Sequence, residues 1–290
     1  MWSVIIAMAA IPNADGLTAG DIVQEATDCG FTEGPVCLPD GTVLFSDVAA
    51  DTIYRQDKSV YRSPSGKSNG LTLDRQGRLI TCEHWNRRVT RTETDGAITV
   101  LADVYEGKRF NSPNDVVIDT QGRVYFTDPT YGLEGREAEL DFSGVYMIDQ
   151  NGAVQLLSRE FTTPNGLAFS PDEKLLYIAD TQEDLVRVYP VGPDGLLGEG
   201  KLFCEVKSPD GMKMDVAGRL WICSSDGMAV FAPDGSRVGV IPFPEQPANC
   251  AFGGPDGKTL YVTARTSLYS APTTVAGVRP GPAPAGDSEP

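Results

Sequence analysis

The sequence predicts an all-β fold, a six-bladed β-propeller with four-stranded blades around a central channel. Short runs of Val, Ile, Leu, Phe and Tyr are separated by Asp-Gly, Gln-Gly and Pro-Asp turns, while helical periodicity is nearly absent. A phrase made of a turn, usually a Gly, and then hydrophobic residues occurs six times along the chain. Consecutive phrases lie 36 to 51 residues apart, and a four-stranded blade takes roughly 40 to 50 residues.

Each of the six phrases can be aligned on one turn residue. The phrases are LPDGTVLFSD, LDRQGRLITCE, IDTQGRVYFTD, FSPDEKLLYIAD, MDVAGRLWICS and GGPDGKTLYVT. The aligned residues are Gly41, Gly77, Gly122, Glu173, Gly218 and Gly257. Six blades close radially and hide the edges of their sheets. A β-sandwich is the lesser alternative, because it would need no such repeat.

Length and composition set the domain organisation. A chain of 290 residues with 41% hydrophobic residues can bury the core of one domain. We expect an N-terminal extension over residues 1–16, a single propeller domain over residues 17–272, and a disordered tail over residues 273–290, which is rich in Pro, Gly and Ala.

The N-terminal residues and the cysteines bear on the compartment. The start, MWSVIIAMAAIP, is apolar, but no Lys or Arg precedes Arg55, so the basic region of a signal peptide is missing. The six cysteines form no Cys-x-x-Cys pair, and a chain of this length does not need disulfides. We therefore expect reduced thiols in a cytoplasmic protein, with secretion and disulfides as the alternative.

Charge narrows the range of partners. The net charge is −16 at pH 7, and the 24 basic residues form no run that could follow a phosphate backbone. No segment approaches the ~20 apolar residues that span a bilayer. We expect no nucleic-acid or membrane partner, and a metal cation or a small polar ligand fits the composition better.

Acids and amides recur at one position of the repeat, eight residues before each aligned turn residue. They are Glu33, Asn69, Asn114, Asn165, Asp210 and Asn249, each at the entry to an apolar strand. If each phrase is the inner hairpin of a blade, six oxygen-bearing side chains stand at one end of the channel. The simpler interpretation is a repeated turn, because Asn and Asp favour turns.

Two carboxylates in this set favour a metal site over a repeated turn. Glu33 and Asp210 occupy a position that is otherwise held by amides. Converging negative charges repel unless a cation lies between them, and carboxylate with amide oxygens suits a hard divalent ion such as calcium. Manganese, zinc and iron(II) remain alternatives, because oxygen ligands rank several metals closely.

At these residues the chain resembles the SMP-30/gluconolactonase/LRE-like family of six-bladed propeller lactonases. The resemblance rests on the stretches FTEGPVCLPDGTVLFSD, SGKSNGLTLDRQGRLITCEHWNRRVTR, FNSPNDVVIDTQGRVYFTDPTYG, TPNGLAFSPDEKLLYIADT and SPDGMKMDVAGRLWIC, which cover most of residues 31–223. The pieces CEH, NSPNDVV and FTDPTYG look closest to bacterial gluconolactonase-like members.

The resemblance implies a metal site and a catalytic acid. It implies one divalent metal, usually calcium, held by Glu33, Asn165 and Asp210, with Asn114 as a further ligand or a substrate contact. It also places the catalytic carboxylate at Asp210. Two positions depart from the family pattern: Ser112 stands where vertebrate members have an Arg, and Cys37 stands where Trp is frequent. The sugar contact of that Arg cannot be carried over.

The chemistry that such a site suggests is lactone hydrolysis. A divalent cation stabilises a developing oxyanion, and a carboxylate takes a proton from water or attacks directly. We assign the carboxylate role to Asp210, as base or nucleophile. The residues expected to line the substrate pocket are Asn114, Asn69, Asn111, Asp128, Tyr131 and His84.

Two of these pocket candidates have structural alternatives. Asp128 shares its place in the repeat with Asp47 and Glu83, six residues after the aligned Gly, which is typical of a blade-loop feature. His84 is the only histidine, and a lone His is more often a hydrogen-bonded structural group.

The function has three candidate classes. The first is a metal-dependent lactonase that opens a sugar lactone such as gluconolactone. The second uses the same metal site on another ester, an organophosphate or an intermediate of a specialised pathway. The third is a non-enzymatic binding propeller with a structural ion. The paired carboxylates favour the enzymes, because a binding propeller needs no acids in its channel.

Overall fold

The computed structural model describes residues 16–281, which form six four-stranded antiparallel sheets and one two-stranded hairpin. The strands of the first half are β1 (Val23–Ala26), β2 (Thr32–Cys37), β3 (Val43–Asp47), β4 (Thr52–Arg55), β5 (Val60–Arg62), β6 (Ser68–Leu73), β7 (Leu79–Glu83), β8 (Arg88–Thr92), β9 (Ile98–Ala102), β10 (Val104–Tyr105), β11 (Lys108–Arg109), β12 (Val116–Ile118) and β13 (Val124–Asp128). A 3-10 helix, η1 (Tyr131–Leu133), follows.

The second half continues the same arrangement. Its strands are β14 (Gly144–Ile148), β15 (Val154–Ser158), β16 (Pro164–Phe169), β17 (Leu175–Asp180), β18 (Leu185–Pro190), β19 (Lys201–Glu205), β20 (Met212–Met214), β21 (Leu220–Ser224), β22 (Gly227–Phe231), β23 (Arg237–Ile241), β24 (Pro247–Gly253), β25 (Thr259–Ala264) and β26 (Ser267–Pro272). The six sheets are arranged as a six-bladed β-propeller, which confirms the predicted fold class.

The blades follow the chain in order, except at the closure. Blades 1 to 5 are β2 to β5, β6 to β9, β12 to β15, β16 to β19 and β20 to β23. Blade 6 takes β24, β25 and β26 from the C-terminal side and β1 from the N-terminal side as its outer strand. The backbone N–H of Ala19 also donates to Pro272 O at 2.9 Å. Strands from both ends of the domain therefore complete one blade and close the propeller, so the innermost strands surround a central axis.

The hydrophobic core is divided among the blade interfaces. One cluster lies between each pair of neighbouring blades, for example Val36, Leu44 and Ile53 of blade 1 against Leu71 and Leu73 of blade 2. The alternating apolar runs of the sequence supply both faces of each sheet to these clusters. The positions at the channel entry are not part of these apolar clusters, and polar residues occupy them.

The repeated turn phrase has a simple structural basis. In blade 5 the carboxylate of Asp215 accepts the backbone N–H groups of Ala217 and Arg219, and Arg219 Nε lies 2.6 Å from its other oxygen. Gly218 has φ +80°, which favours glycine at that place. The same Asp to Arg pairing recurs at Asp74 with Arg78 and at Asp119 with Arg123.

The segment after β26 differs from the sequence expectation over its first part. Val275 packs against the cluster between blades 5 and 6, and Val278 N donates to Met214 O at 2.8 Å. Residues 273–281, which the sequence assigns to a disordered tail, are thus held by packing and backbone hydrogen bonds across the base of the propeller. The remainder of that tail, 282–290, and residues 1–15 of the expected extension lie outside the described residues.

Two further expectations concern thiols and membrane spans. All six cysteines, which lie between residues 29 and 250, are free thiols, in agreement with the sequence analysis. Over residues 16–281, no helix has the length and hydropathy that a membrane crossing requires.

Candidate active site

The six predicted acids and amides lie together at the entry of the innermost strands, and we call this set the ring residues. They are Glu33, Asn69, Asn114, Asn165, Asp210 and Asn249. Five of them are buried, and Asp210 is half-buried. Asn114 and Asp210 come just before β12 and β20, where their backbone N–H groups donate to Thr127 O and Cys223 O of the second strand. The eight-residue spacing therefore places each side chain at the same height of its blade.

Neighbouring blades approach closely at this ring. A Cβ on Gly34 would lie 2.0 Å from Asn69 O, and a Cβ on Gly166 would lie 2.2 Å from Asp210 O. Gly70 N donates to Asn114 O at 2.8 Å across another blade interface. The glycine that follows a ring residue therefore lets the next ring residue come near, because a side chain there would overlap backbone atoms.

Ionisation of both Glu33 and Asp210 is energetically unfavourable in the absence of a cation. Burial raises the pKa of Glu33 well above its usual range, and the charges of Asp210 and Asp115 raise that pKa further. Although Asp210 keeps some solvent exposure, burial is also the largest cause that raises its pKa, to about 7, and Asp115 is the next. The Asn165 side chain and Gly211 N oppose this increase by hydrogen bonding. A bound cation would favour the charged forms.

Asp115 is a third channel carboxylate that the sequence analysis missed. It is 1% exposed, its Oδ1 accepts Val116 N at 2.9 Å, and its Oδ2 has no hydrogen-bond partner among the described residues. The sequence feature that could have revealed Asp115 is its place in the repeat. Gly follows the ring residue in four of the phrases, at 34, 70, 166 and 211, whereas the third phrase has Asp115.

Several ring oxygens are buried without a partner. Within the described part of the chain, Asn69 Oδ1, Asn165 Oδ1 and Asp115 Oδ2 accept no hydrogen bond. Buried polar atoms are normally satisfied, so unpaired oxygens beside carboxylates fit the ligand chemistry of a hard cation. No three His, Cys, Asp or Glu side chains within residues 16–281 form a metal-binding group. A metal at this ring therefore needs Asn oxygens among its ligands.

His84 lies against one member of the ring. It is 5% exposed, and its Nε2 is 3.5 Å from Asn114 Nδ2. Burial lowers the pKa of His84 to about 4, with Glu134 opposing that decrease. The imidazole is therefore neutral near pH 7, and its Nε2 can accept a hydrogen bond from the Asn114 amide.

Asn111, in the buried loop that precedes β12, is joined by hydrogen bonds to Asp128 at the end of β13. The two Asp128 oxygens accept Asn111 N at 2.8 Å and Ser112 N at 2.7 Å, and Asn111 Nδ2 donates to Phe142 O at 2.9 Å. Both residues are fully buried. The Asp128 carboxylate is therefore used to hold the loop before β12, as the blade-loop alternative expects, and Asp47 caps the start of blade 1 similarly through Gly30 N.

The loop after β13 brings Tyr131 to the channel. Tyr131 is 48% exposed, and Thr181, Asn165 and Asp210 are near enough to its hydroxyl to shift its pKa, which burial raises overall. Ser112, which stands in place of the family Arg, accepts Gly132 N at 2.9 Å and donates to Pro129 O. This serine therefore secures the loop that carries Tyr131.

A comparison with protein families identifies the family of this chain. The model described as the SMP-30/Gluconolactonase/LRE-like region matches residues 31–266. The chain belongs to the SMP-30/gluconolactonase/LRE-like family. All six ring residues and blades 1 to 5 fall within the matched region, so the resemblance noted in the sequence is confirmed.

Family members with similar sequences carry lactonase names. A gluconolactonase of Zymomonas mobilis is 32% identical, over 87% of this chain and 81% of that protein. Pentonolactonase XacC of Haloferax volcanii is 31% identical, over 82% of each. Among solved structures, a gluconolactonase from Xanthomonas campestris superposes with a TM-score of 0.83 at 33% identity, covering 90% of this chain and 91% of that one.

Proposed function

We propose that this protein is a metal-dependent lactonase that hydrolyses a sugar lactone to its aldonic acid. The observation that carries the proposal is the meeting of two acids, Glu33 and Asp210, with the unpaired amide oxygen of Asn165 at one channel entry. The related gluconolactonase and pentonolactonase support the choice of a sugar lactone as the substrate class.

The residues that would hold a divalent cation are Glu33, Asn165 and Asp210. Asn114 is a further ligand or a substrate contact, since His84 faces its Nδ2 and leaves its carbonyl oxygen for another partner. Carboxylate and amide oxygens suit calcium best, and manganese, zinc and iron(II) are the alternatives to test. When bound, such a cation supplies Lewis-acid polarisation of the lactone carbonyl.

The chain itself supplies a base and a binding surface. Asp210 is the carboxylate that takes a proton from the attacking water or attacks the carbonyl carbon, and Glu33 balances the charge of the site. The Tyr131 hydroxyl and the Asn69 Oδ1, which is buried and unpaired among the described residues, are placed to contact the hydroxyl groups of a sugar. We expect a cytoplasmic protein with a small-molecule substrate and no nucleic-acid partner.

The decisive experiment is a metal-by-substrate screen. The full chain is stripped with a chelator, reloaded singly with Ca²⁺, Mn²⁺, Zn²⁺ or Fe²⁺, and assayed on gluconolactone, a pentonolactone and simple aryl esters. We expect lactone hydrolysis above the spontaneous rate, lost on chelation and restored by at least one metal. Asp210→Asn is expected to lower turnover by about 100-fold or more, the lower range for a removed acid-base group.

Each competing function gives a different result in this screen. Hydrolysis of esters or organophosphates without lactones would favour the second class. Metal-dependent stabilisation without hydrolysis of any substrate would favour a binding propeller with a structural ion. Retention of near-wild-type turnover by metal-loaded Asp210→Asn would contradict the role of Asp210. Transfer of oxygen from labelled water into Asp210 during turnover would identify it as a nucleophile rather than a base.

A further inference from the structure

Thr181 connects the blades that carry two of the proposed metal ligands. It follows β17 directly, and its Oγ1 donates to Pro209 O at 2.6 Å, the carbonyl that precedes Asp210. The same Oγ1 accepts a hydrogen bond from Asn165 Nδ2 at 3.0 Å. One hydroxyl thus contacts both the Asn165 side chain and the backbone beside Asp210.

The direction of these hydrogen bonds fixes the Asn165 amide. A carbonyl oxygen only accepts, so the single hydroxyl proton of Thr181 is used on Pro209 O. The lone pairs of the Thr181 hydroxyl can then only accept a hydrogen bond. The NH2 group of Asn165 must therefore face this hydroxyl, because the amide oxygen has no proton to donate. Hydrogen bonding from Asn165 also lowers the pKa of Asp210, as an NH2 group turned towards that carboxylate would.

The opposite end of the amide is left available. Asn165 is 3% exposed, and its Oδ1 has no hydrogen-bond partner among the described residues. A flipped amide would place two N–H donors where a cation needs an oxygen. Leaving this oxygen unpaired and buried is unfavourable unless a ligand uses it.

We propose that Thr181 is a positioning residue that locks the Asn165 amide with its oxygen free for a divalent cation. The inference rests on the proposed function, because it assumes that a cation binds at this ring. Residues that hold metal ligands in place typically contribute about 10-fold to 100-fold in metal affinity. The expected effect is therefore on affinity rather than on the fold.

The test measures, by titration calorimetry on the full, chelator-stripped chain, the binding of calcium or, if calcium does not bind, of whichever of Mn²⁺, Zn²⁺ and Fe²⁺ binds the wild type most tightly. Thr181→Val keeps the side-chain shape and removes the hydroxyl, and we expect a loss of about 10-fold or more in affinity. Thr181→Ser keeps the hydroxyl, and we expect it to remain within about threefold of the wild type. Melting temperatures in chelator show whether each variant folds, and Thr181→Ala replaces Thr181→Val if the valine variant does not.

A second background separates amide orientation from general damage. Asn165→Asp has two equivalent oxygens, so the side chain offers an oxygen to the cation in either orientation. In this background, Thr181→Val should lower the metal affinity by less than about threefold. Equal losses in both backgrounds, or no loss in either, would overturn the role of Thr181 and leave the proposed function standing. If the wild-type chain bound none of the four metals, the inference and the metal-dependent function would fail together.

Discussion

The backbone oxygen of Asn69 lies 2.0 Å from the point where Gly34 would carry a Cβ. Blades 1 and 2 therefore meet backbone to backbone directly beside the proposed ligand Glu33. Gly34 also has φ +45°, in the left-handed region that glycine adopts most readily. The close approach of the ring residues depends on this absence of a side chain.

Gly34→Ala should destabilise the propeller far more than a glycine substitution at an open turn. Gly41 is the matched control, because it has φ +87° and no atom within 4 Å of a built Cβ. We expect Gly41→Ala to cost about 1 to 2 kcal/mol through its backbone conformation alone. Gly34→Ala should exceed about 3 kcal/mol, because overlap with backbone is added. Equal free energies of unfolding in urea would contradict the close-contact explanation.

Asp115→Asn should stabilise the metal-free protein and weaken metal binding. The substitution removes a charge that raises the pKa values of Glu33 and Asp210, while Oδ1 can still accept Val116 N. We expect a higher melting temperature in chelator and a smaller increase on adding Ca²⁺ than in the wild type. Asp256→Asn, an exposed acid that accepts Lys258 N, is the control for a general change in net charge. The same response in both variants would exclude a channel effect.

The sequence could predict the ring but not its whole environment. The eight-residue spacing located all six ring positions, because every blade repeats the same hairpin. Asp115 escaped that alignment because it occupies the place of the glycines, one residue beyond the aligned position. Thr181 escaped because a hydroxyl after a strand is ordinary, and its two partners come from residues 165 and 209.

Similar limits explain the loop and tail residues. Asp128 carries the same sequence pattern whether it lines a pocket or caps a loop, and only the positions of Asn111 N and Ser112 N separate the two roles. The Pro- and Gly-rich composition after residue 272 predicts disorder, yet Val275 finds an apolar cluster formed by distant strands. Such contacts depend on the closed propeller and leave no local periodicity.

Asp128 should make stability fall as the pH rises through neutrality. Burial raises its folded-state pKa to about 7, above the value of about 3.9 for an unfolded Asp. The folded chain therefore holds the proton more tightly, so the stabilisation is complete below about pH 4 and is lost as the pH rises through about 7. Each pKa unit corresponds to about 1.4 kcal/mol. The measurement is the free energy of unfolding in chelator from pH 4 to 8.

Asp128→Asn is the variant that isolates this effect. It cannot titrate, so its stability should decline less over the same interval, by about 1 kcal/mol or more relative to the wild type. Glu33 and Asp210 titrate in both proteins and cancel in the comparison. Parallel stability curves would mean that the hydrogen bonds from Asn111 N and Ser112 N keep the carboxylate ionised at lower pH.

Arg136 should hold the loop that carries Tyr131. Its guanidinium donates to Trp85 O at 2.6 Å, Gly132 O at 2.7 Å and Leu133 O at 2.9 Å, and it lies 4.2 Å from the centroid of the Trp85 ring. A lysine keeps the charge but cannot make this set of directed hydrogen bonds. We expect Arg136→Lys to increase hydrogen exchange over residues 130–136 by about tenfold, which corresponds to about 1.4 kcal/mol of lost local stability.

The functional consequence follows from where Tyr131 lies. If the loop opens more often, the Tyr131 hydroxyl is less often beside Asn165 and Thr181, so a lactone should bind more weakly while the base or nucleophile role of Asp210 is retained. We therefore expect KM to rise more than kcat falls. Arg237→Lys is the control, because Arg237 is exposed and its guanidinium lies 3.8 Å from the exposed Asp226 carboxylate. Faster exchange in the loop with an unchanged KM would show that Tyr131 does not contact the substrate, since the loop would then move without affecting binding.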